Sequence, residues 1–427
     1  MPKKPCCLQM HNLISILVFL FGALTFLVPS GYSWGPAGLL VISLIACTYS
    51  SWYWKTLKNQ EHWVIIIPFL LFFIAALSEV FLHESDIRVL DKPSRFLYLA
   101  LILPLLIKFP PKPSYVWLGI SIGAITAGGW GIQQTVIDNL ARAQGNTQGI
   151  QFGNISILYS FLSLCGLLWL LETKSESRTL FLLMTFGIIG GVLGSILSGS
   201  RGGWLSLPLC VAIISIFFWQ HINRKQLKRL FAVFVLTAVC AVSIGSDMIS
   251  QRTNKAVSEL AMYVESRDST TSVGARIELW KASWLLGKEK PFTGWGTDRV
   301  GQGLGELVEM QAVNSSVLNH VHAHNDYFNL LQLQGVLGLS ALLLLYFLPA
   351  AHFARQIKIQ SLKSIPLSGL ITCISYAVFS LTQAFLEHNS GVMVYAMLLT
   401  TFYCLGRNAA TKPKQSIPDS LSIKSSE

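Results

Sequence analysis

Twelve apolar runs punctuate the chain, at about 12–28, 36–54, 63–82, 96–109, 115–137, 153–171, 179–198, 202–219, 230–246, 327–348, 366–386 and 391–406. An α-helix needs roughly 20 apolar residues to cross a hydrocarbon layer, so the pattern predicts an all-α integral membrane protein of about 12 transmembrane helices. It forms a single polytopic domain over 1–427. The fourth run is short, and the Gly-rich seventh passes almost directly into the eighth, as tilted, broken or re-entrant segments do. The other connections are short, but 247–326 forms one large loop between the ninth and tenth runs. Within it Ile277, Trp280 and Trp284 are spaced by three and four, the period of one apolar helical face, which predicts an amphipathic helix lying on the membrane or across the bundle. Pro291, Gly294, Gly296, Gly301, Gly303 and Gly305 follow and resist regular structure.

Composition agrees with this pattern. Of 427 residues, 52% are apolar and 12% charged, about half the charged share of a soluble protein. A net charge of +11 is not a nucleic-acid signal here, because Lys and Arg fall in short clusters between apolar runs, where they set topology. An even number of spans with the N-terminus inside puts nineteen of them in the cytoplasm, among them Lys55, Lys108, Arg224 and Arg355, with the tail at 407–427. Only Arg88, Lys92, Arg95, Arg142 and Arg201 fall in short outside segments, and 247–326 is expected to face outward. Cys6 and Cys7 are N-terminal, and the remaining cysteines lie inside apolar runs, so no disulfide framework is indicated. Lys3 and Lys4 precede the first run, but no small-x-small cleavage site follows near Val28–Tyr32, and the run is read as a retained span. Trp34, Trp52, Trp54, Trp63, Trp117, Trp169 and Trp219 lie near run ends as interfacial anchors. The glycines of runs five and seven permit close helix packing.

Chemistry concentrates on the outer side. Arg201 stands between two apolar runs, flanked by Gly199, Gly202 and Gly203, whose small size frees backbone N–H groups and leaves room for a bulky anion. Arg276 on the loop helix and Arg142 are placed on the same side, so several guanidinium groups can converge on a diphosphate, which their planar forks bind bidentately. Snorkelling of Arg201, a salt bridge from Arg276 to Glu278 and plain solvation of Arg142 are the structural alternatives. His320, His322 and His324, followed by Asn325 and Asp326, can be read as a metal cluster, as a span cap or as the setting for a general base at His324. The base reading is favoured, since the loop supplies no Cys and no second His group and a helix starting near 324 scatters the three. Glu79, Glu387 and His388 read as interfacial groups able to pair with such residues. Gly294–Gly301 lacks a Walker lysine and reads as loop architecture.

These residues resemble the O-antigen ligase superfamily, which includes lipopolysaccharide O-antigen ligases, certain Wzy-type polymerases and protein O-oligosaccharyltransferases. The ligase pattern of His, then Asn, Ser or Gln, nine residues, Gly, two residues and Gly, Thr or Tyr matches His324, Asn325, Gly335 and Gly338. The Arg-x-x-x-Leu pattern matches Arg201 and Leu205, and Arg276-x-x-x-Trp280 and the Arg142 loop also look like family features. The resemblance implies transfer of an O-antigen glycan from undecaprenyl diphosphate to a hydroxyl of lipid A-core, on the periplasmic face of a Gram-negative inner membrane. It implies His324 as base, Arg201, Arg276 and Arg142 as diphosphate ligands, Asn325, Asp326, Gly335 and Gly338 as support, and no metal or other cofactor. Polymerase, protein glycosyltransferase and lipid-linked glycan transporter remain alternatives. Chain length and one dominant loop favour the ligase branch, and a transporter has no special need for a one-sided loop carrying a base.

Overall fold

The apolar runs become helices in the computed structural model, which describes residues 5–218 and 223–411. Trp219, Lys3, Lys4 and the tail from 412 onward lie outside the described residues. The helices are α1 (Pro5–Leu24), α2 (Gly31–Tyr49), α3 (Ser51–Leu57), α4 (Trp63–His83), α5 (Ser94–Lys108), α6 (Pro113–Ile132), α7 (Gly149–Glu172) and α8 (Arg178–Ser198). They continue as α9 (Arg201–Trp204), α10 (Ser206–Phe218), α11 (Arg224–Ser266), α12 (Ser272–Glu289), α13 (Val300–Glu309), α14 (Asp326–Ile359), α15 (Ser364–Phe379) and α16 (Asn389–Thr411). No strand occurs among the described residues, nine of whose helices are long and apolar enough to cross a membrane, with shorter apolar helices at Leu8–Leu24 and Ser364–Phe379. The protein is an all-α membrane protein.

Small residues set the closest crossings. A Cβ on Gly128 of α6 would stand 2.6 Å from the Cα of Gly190 on α8, so these two helices meet backbone to backbone where any larger side chain would part them. Helix α6 also packs on α1, α7 on α8, and α14 on both α4 and α15, around one continuous apolar core. Trp117 belongs to that core and not to an interfacial belt: it is fully buried with its ring 5.5 Å from that of Phe402. Trp34, Trp54 and Trp63 are exposed near helix ends.

Several sequence boundaries need correction. The run at 36–54 is broken at Ser50, whose extended backbone separates α2 from α3. The run at 366–386 stops being α-helical at Phe379 and ends in turns that carry polar side chains. The segment from 247 does not begin as a loop, because α11 continues unbroken to Ser266. Its 43 residues span about 64 Å, twice a hydrocarbon thickness. No Gly or Pro interrupts it after Gly245, so the helix outlasts its apolar composition until Arg267 turns left-handed at φ 57°. Helix α12 exists where its periodicity predicts one, but its packed face is Ala275, Leu279, Ala282 and Leu286, with Trp284 half exposed. Leu279, Ala282 and Leu286 form a second apolar cluster with Trp295, Leu304, Val313 and Val317, while Gly287 abuts Leu331 of α14.

Candidate functional site

Helix α8 ends at Ser198, Gly199 turns left-handed at φ 64°, and α9 starts at Arg201. This turn opens one side of a cavity of about 100 Å³ that brings together all three predicted arginines, Arg142, Arg201 and Arg276. The unbroken α11 adds two cations that the sequence reading missed, Arg252 and Lys255, together with the carboxylate of Glu259. Five cations therefore face one carboxylate. Neither ion pair of Glu259 is tight: its oxygens stand 3.9 Å from Arg201 Nη2 and 3.9 Å from Lys255 Nζ.

Backbone carbonyls hold the guanidinium groups in place. Arg142 Nε donates to Ser198 O at 3.0 Å, Arg201 Nη1 to Arg252 O at 3.2 Å, and Arg252 Nη2 to Ala141 O at 3.4 Å. Burial lowers the pKa of Arg142, and the charges of Arg252 and Arg201 lower it further. Burial likewise lowers that of Arg276, with Arg201 and Arg142 adding to the effect and Glu259 opposing it. Positive charge is thus concentrated beyond what the protein itself neutralises, which is the electrostatic condition for binding an anion.

Two short paths, each with one hydrogen bond, join this cavity to the histidine segment. Thr382 lines the cavity, and its neighbour Gln383 accepts a hydrogen bond from His324 Nδ1 at 2.8 Å. On α12, Arg276 lines the cavity, while Trp280 one turn later donates from Nε1 to Ala323 O at 3.0 Å and stacks on Phe328. His324 itself is left-handed at φ 50°, a conformation uncommon for a non-glycine residue. The rings of His320 and His322 lie 5.6 and 4.3 Å from that of His324 between centroids. Among the described residues no three His, Cys, Asp or Glu side chains come together as a metal-binding group.

Gln383 is a further residue of the candidate site that sequence reasoning missed, since it fell inside the run taken as span eleven. Its amide bridges two imidazoles, with Oε1 on His324 Nδ1 and Nε2 3.0 Å from His388 Nε2. An amide NH₂ can only donate, so His388 Nε2 accepts; Oε1 can only accept, so His324 carries its proton on Nδ1 and leaves Nε2 with a free lone pair. Burial pushes His324 down to about 4; Gln383 opposes this, and His322 and the charge of Arg276 reinforce it. His388 is pushed down to about 4, again chiefly by burial. Both rings are neutral at physiological pH.

Asn325 and Asp326 position this corner and do not touch the imidazole of His324. Asn325 caps α14 by accepting from Phe328 N at 3.1 Å, and donates to Leu381 O at 3.0 Å. Asp326, buried, accepts from Ser380 Oγ at 2.6 Å and from the backbone N–H groups of Phe385 and Leu386, which clamps the turn carrying Thr382 and Gln383. Glu387 pairs with Lys92 at 3.0 Å and accepts from Asn329. Glu79 is 2% exposed and accepts from Thr297 N and from Gln334 Nε2.

Gly335 and Gly338 act ten residues and more from the histidine. At φ 61°, ψ −151°, a conformation nearly restricted to glycine, Gly335 breaks α14. The carbonyls of Gln332 and Leu333 are then free to accept from Trp295 N at 2.8 Å and Gly296 N at 2.9 Å, while Val336 N donates to Pro291 O at 2.7 Å. A Cβ on Gly335 would stand 2.5 Å from Pro291 O, and one on Gly338 would displace the Gln334 side chain that bonds Glu79. The break docks the chain following α12, and so fixes the helix that carries Arg276 and Trp280.

Fold and site together define a polytopic all-helical membrane protein with a cation-lined cavity and a neutral imidazole adjoining at one end of the bundle. The O-Antigen ligase family model matches residues 186–343, which include Arg201, Arg276, His324, Gly335 and Gly338. An uncharacterized protein of Haemophilus influenzae is 30% identical over 396 residues, 91% of this chain and 97% of that protein. An O-antigen ligase of Escherichia coli is 28% identical over 183 residues, 42% of each chain. The chain belongs to the O-antigen ligase superfamily. Its function is accordingly ligase- or polymerase-like, with lipid-linked glycan and lipid acceptor partners in general and a multi-pass membrane setting.

Proposed function

We propose that the protein is an O-antigen ligase, transferring a glycan from undecaprenyl diphosphate to a hydroxyl of lipid A-core on the periplasmic face of the inner membrane. The observation that carries this reading is the adjacency of the two halves of the site: Gln383 holds His324, and Thr382 beside it lines the arginine cavity. A transporter of lipid diphosphates would use the cations alone. A tautomer-fixed, neutral imidazole next to them supports chemistry.

In this reading Arg142, Arg201, Arg252 and Arg276 bind the diphosphate and stabilise the negative charge that develops as it leaves. The acceptor hydroxyl attacks the anomeric carbon from the opposite side, its proton passes to His324 Nε2, and the C–O bond to diphosphate breaks, inverting the configuration. No step draws on a metal. A base whose pKa is about 4 is weak toward a resting hydroxyl, but the hydroxyl becomes strongly acidic as its oxygen bonds to carbon. Donor binding also strengthens the base. The diphosphate offsets the Arg276 charge that depresses His324, so the imidazolium formed during transfer is less disfavoured in the donor complex than in the free enzyme.

An apolar groove of about 450 Å³ between α7, α8, α10 and α11, lined by Leu164, Leu168, Val192, Ile214 and Phe234, offers a place for the polyprenyl chain. Along α11 it reaches Ala241, eleven residues or roughly 16 Å from Arg252 in the cation cavity. The proposed topology keeps the N-terminus and the 407–427 tail cytoplasmic, with about 12 spans. The loop domain at 247–326 then takes in the outer part of α11 together with α12, α13 and the chain up to the start of α14. Reconstitution with purified lipid-linked glycan and alternative acceptors tests the function: transfer to lipid A-core supports the ligase, chain growth on the lipid-linked glycan identifies a polymerase, and transfer to protein identifies an oligosaccharyltransferase.

A further inference from the structure

The helix that begins beside His324 ends in a second polar site. Helix α14 runs from Asp326, through its break at Gly335, to Ile359 at the far end of the bundle, which the distribution of Lys and Arg assigns to the cytoplasm. There Glu61, His352, Gln356, Gln360, Tyr403 and Arg407 line a cavity of about 420 Å³, with apolar wall from Phe353 and Pro366.

Its polar groups are arranged, not merely gathered. Glu61 and Arg407 form an ion pair at the rim. Tyr403 donates to Glu61 O at 2.8 Å and lies 2.9 Å from His62 Nδ1, which fixes the backbone that carries Glu61. The His352 ring packs 5.3 Å from that of Tyr403. Gln360 is 8% exposed and donates from Nε2 to Gln356 Oε1 at 2.8 Å, which leaves Gln360 Oε1 buried in the cavity wall without a hydrogen-bond partner. Buried amide oxygens are nearly always satisfied, so an orphaned one in the wall of a roomy cavity marks the place of an absent donor.

The rim selects the ligand further. A carboxylate and a guanidinium side by side present both signs of charge within one opening, so a net anion or a net cation meets one attractive and one repulsive group. A ligand with an ammonium next to a phosphate meets two attractive ones. We propose that this cavity binds a phosphoethanolamine headgroup: its N–H groups donate to Gln360 Oε1 and Glu61, its phosphate accepts from Arg407, and the glycerol end rests on Phe353 and Pro366. The headgroup belongs to an aminophospholipid of the surrounding leaflet or to a soluble glycerophosphoethanolamine. A quaternary choline headgroup has the same charges but no N–H, and so leaves Gln360 unsatisfied.

The test uses the full-length protein in phosphatidylcholine nanodiscs, with thermal unfolding as the readout. Either phosphatidylethanolamine doped into the nanodisc or sn-glycero-3-phosphoethanolamine added to the buffer raises the melting temperature saturably. The first alone identifies the lipid as source; response to the soluble compound identifies the free headgroup as sufficient. Gln360→Leu weakens the response at least fivefold in midpoint concentration, and Gln360→Glu, which keeps the shape and adds an anionic acceptor, strengthens it; the Glu variant carries the test alone if the Leu variant does not fold. The proposal is overturned if neither probe stabilises the protein, or if Gln360→Glu responds as the unsubstituted protein does. A response to glycerophosphocholine equal to that to glycerophosphoethanolamine also overturns it.

Discussion

The arginine cavity and the histidine corner adjoin through Thr382 and Gln383, yet they are built on opposite principles. In the cavity, charge is left over: five cations, one carboxylate, and ion pairs no shorter than 3.9 Å. In the corner the groups around the free lone pair of His324 Nε2 are paired: Asp326 accepts from Ser380, Phe385 and Leu386, Glu387 pairs with Lys92, and each heteroatom of the Gln383 amide meets an imidazole. In the proposed mechanism the two regions divide the work: an unneutralised positive field draws an anion in, whereas a hydrogen-bonded network holds one ring nitrogen in a fixed protonation state for proton transfer.

The largest expected effect comes from removing the base. His324→Ala lowers glycan transfer by roughly 10²–10⁴-fold while the protein still binds lipid-linked donor, as measured in parallel turnover and donor-binding assays. Equal loss of binding and turnover would merge the two regions into one binding site. Next are Arg201→Lys and Arg276→Lys, which keep charge and lose the bidentate fork. By analogy with a single oxyanion donor each costs about 2.7–4 kcal/mol of transition-state stabilisation, read from kcat/KM. Wild-type rates in both variants would sink the diphosphate assignment.

Gln383→Glu then sharpens the boundary between the regions. A carboxylate against His324 Nδ1 favours imidazolium and raises its pKa, so the proton-accepting form is lost at a higher pH on acidification. The acid limb of the rate profile moves toward neutrality relative to the unsubstituted protein, and an unmoved limb would detach Gln383 from the base. Smallest of all are His320→Ala and His322→Ala, expected to leave activity within about tenfold of normal, a much smaller loss than removal of a catalytic base. Collapse of all three histidine variants together with chelator sensitivity would instead restore a metal role.

What the sequence made legible follows from what each signal measures. Hydropathy located the helices because membrane burial requires long apolar runs, and it placed Arg201, Arg276 and His324 near one another because they fall at run ends or in one loop. It failed where a helix has no need to be apolar. Helix α11 passes 247 on helix-forming polar residues, so Arg252, Lys255 and Glu259 were hidden in what read as loop. It failed again where an apolar run carries its polar residues past a helix end, as with Gln383 after Phe379. The face of α12 was misassigned because large aromatics dominate a hydropathy pattern, whereas the face that packs is the one turned to the apolar residues of 295–317. Gly335 and Gly338 were legible as a spacing, but their task of breaking α14 so that 291–297 can dock emerges only from the backbone.

The central claim is that His324 acts as a neutral base whose strength depends on charge in the arginine cavity. Its most direct measurement is the pair of pH profiles for transfer, kcat/KM reporting the free enzyme and kcat the donor complex. With burial holding the free His324 down to about 4, kcat/KM stays level on acidification through pH 6 and falls only as pH approaches that value. The kcat limb lies at higher pH, because bound diphosphate relieves the Arg276 charge, and residual His324→Ala activity shows neither limb. Coincident limbs that persist unchanged in His324→Ala would contradict the account.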